Sequence, residues 1–315
     1  MIHNVVDDKH SDVGGQLLML KRLAGLVILS LMSTSVDGGD QTSSAAFTVA
    51  AVQMRSSRDL AANLQKIESH LQDCAKRGVQ LAVFPECAIS GYFDDVARET
   101  SSADLVMAEE KVANLCRELK IAAVIGSPYR IEDKLYNSAI VFTSDGTILE
   151  RYHKIQLAEG WPDPGDHLSV FEINSVPCSI IICHDERYPE LVRLPVLAGA
   201  RVIFYLSHES GLKAEHKIDP YRAQIQARAV ENGVFIVHAN APANEDLSGS
   251  HGHSRIIGPD GNLIGLEASI FGEDILTATL DITEAGARNA QRSLSRGILR
   301  DWWQDGIDRV RIIRK

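Results

Sequence analysis

From Phe47 onward, short unbroken apolar runs alternate with longer stretches in which the apolar residues recur at helical spacing. "FTVAAVQM" opens the series as a buried strand. In "SSRDLAANLQKIESHLQDCAKRG", Leu60, Leu64, Ile67, Leu71 and Cys74 fall on one helical stripe, with Ser56 or Ser57 as the expected N-cap and Gly78 as the stop. "LAVFPE" is the next strand. A second helix carries Leu105, Ala108, Val112, Leu115 and Leu119, and the strand "IAAVIGS" follows it. "NSAIVFTSDGTILERYHK" reads as a hairpin about the tight-turn pair Asp145-Gly146, and "SRIIGPDGNLIG" reads as a second. Between them come the Ile180–Ile182 strand, a helix over Pro189–Leu197, "RVIFYL", a helix over Tyr221–Glu231 and "GVFIVHAN". Strands alternating with helices predict a layered α/β fold, and the hairpins exclude a purely parallel sheet. One domain over 47–284 accounts for the pattern.

The two ends differ from this. Residues 1–46 form an N-terminal extension in which Lys21 and Arg22 precede ten mostly apolar residues, Leu23–Met32, followed by small ones. A basic start before a short apolar core, over 19–35, is the grammar of a signal segment, and ten residues are too few to span a bilayer. Export to the periplasm or medium is expected, with a cytoplasmic protein carrying an extra amphipathic helix as the alternative. Residues 285–315 are charged, with Trp302 and Trp303 as the expected apolar anchor. This tail is expected to pack on the domain or on a partner subunit.

Composition narrows the classes. The net charge is −10 and the 32 basic residues form no long run, which argues against a nucleic-acid partner. Five cysteines, at 74, 87, 116, 178 and 183, show no CxxC spacing, so neither a disulfide framework nor a structural zinc is expected.

Candidate chemistry sits at three strand ends. Glu86 follows "LAVFP", Lys154 follows "RYH" and Cys183 follows three isoleucines. Each alone is ordinary strand punctuation. Together they supply a base, a cation and a nucleophile, the set that thiol attack on an amide carbon requires. His184 is the other candidate base for the thiol. Neighbours on an extended strand point to opposite faces, however, so its backbone N–H is the more useful group. Arg187 with Glu190, and Arg228 with Glu231, are expected to be structural ion pairs. Tyr92, Trp161 and Tyr188 are candidate pocket walls.

"VFPE", "YHKIQL", "CHDERYPE", "RAVENGVFIVHAN" and "GHSRIIGPDGNLI" occur in the order and roughly the spacing of the nitrilase superfamily of carbon–nitrogen hydrolases, which the chain resembles from about Phe47 to Ile282. The resemblance implies a four-layer α-β-β-α sandwich, a Glu86-Lys154-Cys183 triad, no metal or cofactor, and a homodimer or larger homo-oligomer. It also implies a further pocket glutamate, best matched by Glu159. The implied activity is hydrolysis of a small amide or N-carbamoyl amine through a cysteine acyl-enzyme. A true nitrilase is the first alternative, and a catalytically silent binding protein of the same fold is the second.

Two readings compete locally. His251 and His253 in "HGH", with His208 and His216, prompt a metal-dependent hydrolase, but their Gly- and Ser-rich setting favours surface histidines in a loop. His208 and Glu209 follow the strand "IFYLS", which the resemblance places beside the pocket. Glu209 facing the substrate would favour a distal amine. Otherwise it pairs with Lys213 or Lys217 on an exposed loop.

Overall fold

A computed structural model describes residues 46–214 and 218–313. The signal-like segment 19–35, His216 and Lys217 lie outside the described residues.

The first apolar run is β1 (Ala46–Gln53), followed by α1 (Leu60–Lys76), β2 (Leu81–Val83), α2 (Asp94–Glu99), α3 (Ser102–Leu119) and β3 (Ala122–Ile131). The hairpin is β4 (Lys134–Phe142) with β5 (Ile148–His153). Then come β6 (Leu168–Ile173), β7 (Val176–Ile182), a 3₁₀ turn over Cys183–Arg187, α4 (Glu190–Leu197), β8 (Val202–Ser207), α5 (Ile218–Asn232), β9 (Phe235–Asn240), β10 (Arg255–Ile257) and β11 (Asp274–Asp281). The tail adds α6 (Arg288–Arg292), α7 (Gly297–Ile307) and β12 (Val310–Ile313). One sheet has the order β11-β1-β2-β3-β4-β5 and the other β10-β9-β8-β7-β6-β12.

The side-chain alternation of β1 assigns the layers. Ala50 and Val52 join Leu64, Ile67 and Leu71 of α1 and Val112 of α3, whereas Val49 and Ala51 belong to the core built on the second sheet, with Ile181, Phe204 and Tyr205. Val192, Val196, Ile225 and Ala229 of α4 and α5 extend this second core on its far side. Both sheets are therefore buried on both faces, and their central strands read as continuous apolar runs for that reason. The result is the expected α-β-β-α sandwich.

Three local expectations change. Asp59, not Ser56 or Ser57, caps α1: its Oδ1 accepts the N–H groups of Ala61 and Ala62 at 2.9 and 3.2 Å. Ser57 is engaged instead by the Asn63 side chain. The second hairpin is half a hairpin, because β10 pairs with β9 and the return arm makes a single bridge, Ile257 to Leu263. Trp302 does not anchor the tail, being 58% exposed; the tail buries Ala285, Ala287, Ala290 and Val310, and β12 pairs in parallel with β6.

No helix among the described residues is long and apolar enough to cross a membrane.

Candidate active site

Strand direction brings Glu86 and Lys154 to one edge. β2 and β3 are parallel, and the antiparallel steps β3-β4 and β4-β5 return β5 to the same direction. The carboxyl ends of β2 and β5 therefore face the same way, and each carries a charged residue just beyond it. The second sheet supplies β7 and β8, also parallel to each other, whose ends carry Cys183 and His208–Glu209.

Close backbone approach locks the first two residues. A Cβ on Gly126 of β3 would lie 2.3 Å from the Cys87 nitrogen and 2.7 Å from the Glu86 Cα, so only glycine lets the Glu86 turn settle against β3. A Cβ on Gly165 would lie 2.1 Å from the carbonyl oxygen of His153, and the Gly165 N–H donates to the Lys154 carbonyl at 2.8 Å. Cys183 itself has φ +44°, a left-handed conformation that costs a non-glycine residue on the order of 1–3 kcal/mol. It turns the chain sharply out of β7, so the thiol stands at the strand end and not within the pleat.

The charged groups interlock. Lys154 Nζ donates to Glu86 Oε1 at 2.8 Å and to Glu159 Oε1 at 2.5 Å, and the Lys154 and Glu86 side chains are fully buried. Asn137 of β4 donates to both carboxylates, at 2.7 Å to Glu86 and 3.3 Å to Glu159. Tyr92 donates its hydroxyl to Glu159 Oε1 at 2.6 Å. The backbone N–H of His208 donates to Glu86 Oε2 at 2.9 Å, which joins the two sheets at the site.

Burial and charge set the protonation states. Burial raises the Glu86 carboxyl to about 7, with the Lys154 charge only partly opposing it. Burial opposes ionisation of Glu159 too, but the charge and hydrogen bond of Lys154 hold it down at about 2. Burial also works against the Lys154 ammonium, yet Glu86, the Cys183 thiol and Glu159 keep its pKa well above the usual lysine range. Enclosure by protein, then the charge of Glu86, pushes the Cys183 thiol well up. A free thiolate is thus disfavoured at rest, and the sulfur must lose its proton as it attacks. Burial and Lys154 lower His208 to about 4, which leaves a neutral ring stacked on Tyr92 at 4.5 Å.

A cavity of about 140 Å³ opens over Cys183, lined by His184, Tyr92, His208 and Glu209 among others. Of the residues singled out from the sequence, Cys183, His184, His208, Glu209 and Tyr92 line this cavity, and Glu86, Lys154 and Glu159 form the charged cluster beside it. Trp161 instead packs with Cys87, Ala97 and Leu135 in a small core beside Tyr92, and Tyr188 is 38% exposed. Arg228 pairs with Glu231 at 2.9 Å as expected, while Arg187 donates to the Tyr221 hydroxyl at 3.0 Å.

Two expectations are overturned. His251 is not a surface histidine: it is buried, with Nε2 2.6 Å from Glu209 Oε2. Glu209 does not pair with Lys213, which meets Asp246 at 3.4 Å instead. Glu209 is 1% exposed and accepts the Tyr205 hydroxyl at 2.8 Å. The loop composition around "HGH" misled because its small residues are packed inside: Ser250 and Ser254 are buried, and a Cβ on Gly252 would lie 2.4 Å from the Ser269 carbonyl oxygen.

Several site residues escaped the sequence reading. Asp185 accepts the Ile182 N–H and the Tyr152 hydroxyl on one oxygen, and the Ile155 and Gln156 N–H groups on the other. It thereby ties the turn after Cys183 to the loop after Lys154. Asn137 and Tyr205 are two others, the latter also donating to the Cys183 carbonyl at 3.2 Å, and Glu186 and Tyr221 of the cavity wall were missed as well. An aspartate three residues past the end of a buried strand was the available signal for Asp185. Asn137 and Tyr205 gave none beyond a polar atom inside an apolar run.

Residues 48–289 match the family described as carbon-nitrogen hydrolase. The chain is 28% identical over 218 residues to a hydrolase in the agr operon of Staphylococcus aureus, covering 65% of this chain and 80% of the relative. It is 28% identical over 252 residues to the omega-amidase of Xenopus tropicalis, covering 76% and 90%. Its fold is similar to that of a cysteine-to-alanine mutant of an amidase from Nesterenkonia, of the nitrilase superfamily, with a TM-score of 0.72 at 23% identity over 84% of this chain and 100% of that one. A glutamate-to-glutamine mutant of that amidase shows Michael addition of acrylamide at the active-site cysteine (TM-score 0.70, 23% identity, 81% and 99% covered).

Proposed function

This chain belongs to the carbon-nitrogen hydrolase family, and from that premise we propose that it hydrolyses a small amide or N-carbamoyl amine through an acyl-enzyme on Cys183. The observation that carries the reading is the buried Glu86–Lys154 pair, 2.8 Å apart, set between the ends of two sheets beside a half-buried thiol. The acrylamide adduct at the active-site cysteine of the Nesterenkonia amidase supports the assignment of the nucleophile.

In the proposed sequence Glu86 takes the thiol proton while sulfur bonds to the carbonyl carbon. The carbonyl electrons move to oxygen, and Lys154 Nζ with the His184 N–H receives that oxyanion. Glu86 then gives its proton to the leaving nitrogen as the C–N bond breaks. Water, deprotonated by Glu86, adds to the thioester, and loss of the sulfur returns the proton to Cys183. Glu159 remains ionised throughout and holds the ammonium in place. A small cavity of about 140 Å³ favours a short acyl group. The test is ammonia release from a panel of amides, carbamoyl amines and nitriles. Release from nitriles alone would move the protein to the nitrilase branch, and no release from any member would refute the reading.

The base role has a pH signature. With Glu86 at about 7, kcat/KM is expected to fall close to tenfold per unit as pH drops below that value, because the protonated carboxyl cannot accept the thiol proton. A profile that stays flat down to pH 5, measured with the fold intact, would remove Glu86 from that role.

We propose further that the protein is exported, with a mature N-terminus between about Ser33 and Phe47, and that it forms a homo-oligomer. Intact-mass measurement on protein from native cells tests the first. Recovery of protein retaining residues 19–32 in the cytosol would refute it. The exposed Ile298, Leu299 and Trp302 of α7 support a contact between chains.

A further inference from the structure

The cavity over Cys183 carries acidic side chains away from the Glu86–Lys154–Glu159 cluster. Glu186, in the turn after the nucleophile, and Glu209, after β8, both line it, and each is 1% exposed. Tyr205 lies near both: its hydroxyl donates to Glu209 Oε1 and to the Cys183 carbonyl. Glu186 Oε2 is buried without a hydrogen-bond partner, a costly state for a carboxyl oxygen unless a ligand completes it.

The surrounding cations have other partners as well, and none is seen to complete Glu186 Oε2. Arg228 donates to Glu231 and to the backbone carbonyl of Glu186, not to its carboxyl. Arg255 meets Glu267 at 3.3 Å and its charge also favours the ionised form of Glu209, while Lys213 meets Asp246. Arg187 lines the cavity as well and donates to the Tyr221 hydroxyl. Glu209 is supported by His251 at 2.6 Å, whereas Glu186, which also lines the cavity, keeps Oε2 without a hydrogen-bond partner. Taking the amidase reading above as its basis, we infer that the substrate carries a hydrogen-bond-donating cation at its distal end, an ammonium or amidinium, held by Glu186 and Glu209. Burial, and then the charge of Glu209, push the Glu186 carboxyl up in the free protein, and an arriving cation would offset the charge of Glu209 and favour the ionised form. A distal carboxylate would add a third negative group to the same small space.

The test uses three amides of similar length: 4-aminobutanamide, pentanamide and succinamate. On the full-length wild type, kcat/KM for the ammonium-tailed amide is expected to exceed that for pentanamide by about 10- to 100-fold, the range of a buried hydrogen bond to charge. Succinamate should be the poorest of the three. Glu186→Gln and Glu209→Gln should each shrink the ammonium preference, through KM more than kcat. Calorimetry on Cys183→Ala should give the same order of affinities, and propylammonium should inhibit the wild type competitively. A preference for succinamate would hand the distal site to Arg187 and overturn the inference. So would a wild type indifferent to the tail, or a Glu186→Gln variant that lowers kcat equally for all three amides, since that marks a structural role. Each of these results leaves the amidase reading standing, which falls only if the whole panel of amides, carbamoyl amines and nitriles yields no ammonia.

Discussion

Cys183→Ala is expected to reduce hydrolysis to background while the protein stays folded. No other group in the cavity combines a soft nucleophile with a neighbouring base, so the acyl-enzyme cannot form without this sulfur. The substitution itself is small: Cys183 is half-buried at the end of β7, and alanine tolerates φ +44° no worse than cysteine does. Thermal unfolding should therefore be close to wild type, and ammonia release measures the loss. Alkylation provides an independent check. Cys74, Cys87, Cys116 and Cys178 are buried, whereas Cys183 lines a cavity where Glu86 can take its proton as it attacks, so iodoacetamide, itself a small amide, should add one mass increment to the wild type and none to the variant. More than a trace of turnover in the variant, with contamination excluded, would refute the nucleophile and the mechanism built on it.

Lys154→Arg is expected to be nearly as damaging as Lys154→Ala, although it keeps the charge. Nζ sits in a fully buried slot between Glu86 Oε1 and Glu159 Oε1, at 2.8 and 2.5 Å, and a planar guanidinium is too large to place one compact donor there. Losing one oxyanion donor costs about 100- to 1,000-fold in kcat, and displaced carboxylates would add to that. Lys154→Ala should also cost stability, about 3–5 kcal/mol, because Glu86 and Glu159 would be left buried without their cation. Steady-state kinetics on both variants, with denaturant midpoints, separate the two effects. An arginine variant with more than a tenth of wild-type kcat would mean that Lys154 acts only as positive charge.

Glu86, Lys154 and Cys183 were legible because each ends a strongly patterned strand and because five motifs stand in a recognisable order. Glu159 was legible only through that order, since nothing in "LAEGWPDPG" says that its carboxylate turns back to the lysine. Asn137 was hidden for another reason. It lies inside a strand whose pattern reports burial, and burial alone does not reveal that a side-chain amide bridges two carboxylates. The capping error at α1 has the same origin. Ser57 and Asp59 are both good caps by type, and the contact with Asn63, six residues on from Ser57, decided between them.

His251 and Glu209 show the limit most clearly. By composition one belongs to a surface loop and the other to an exposed charged turn, yet both are buried at 2.6 Å from each other under the cavity. Sequence periodicity by itself determined most of the strands and helices, their α/β alternation and the strand ends that bear chemistry, because those follow from which residues must leave water, while the four-layer order was implied only by the family resemblance. Only the tertiary structure decided which charges meet, since Glu86 and Lys154 are 68 residues apart and His251 and Glu209 belong to separate loops. Pairing across such distances is set by strand order and close backbone approach, at Gly126 and Gly165 here, and those are properties of the packed sheets and not of any local run of residues.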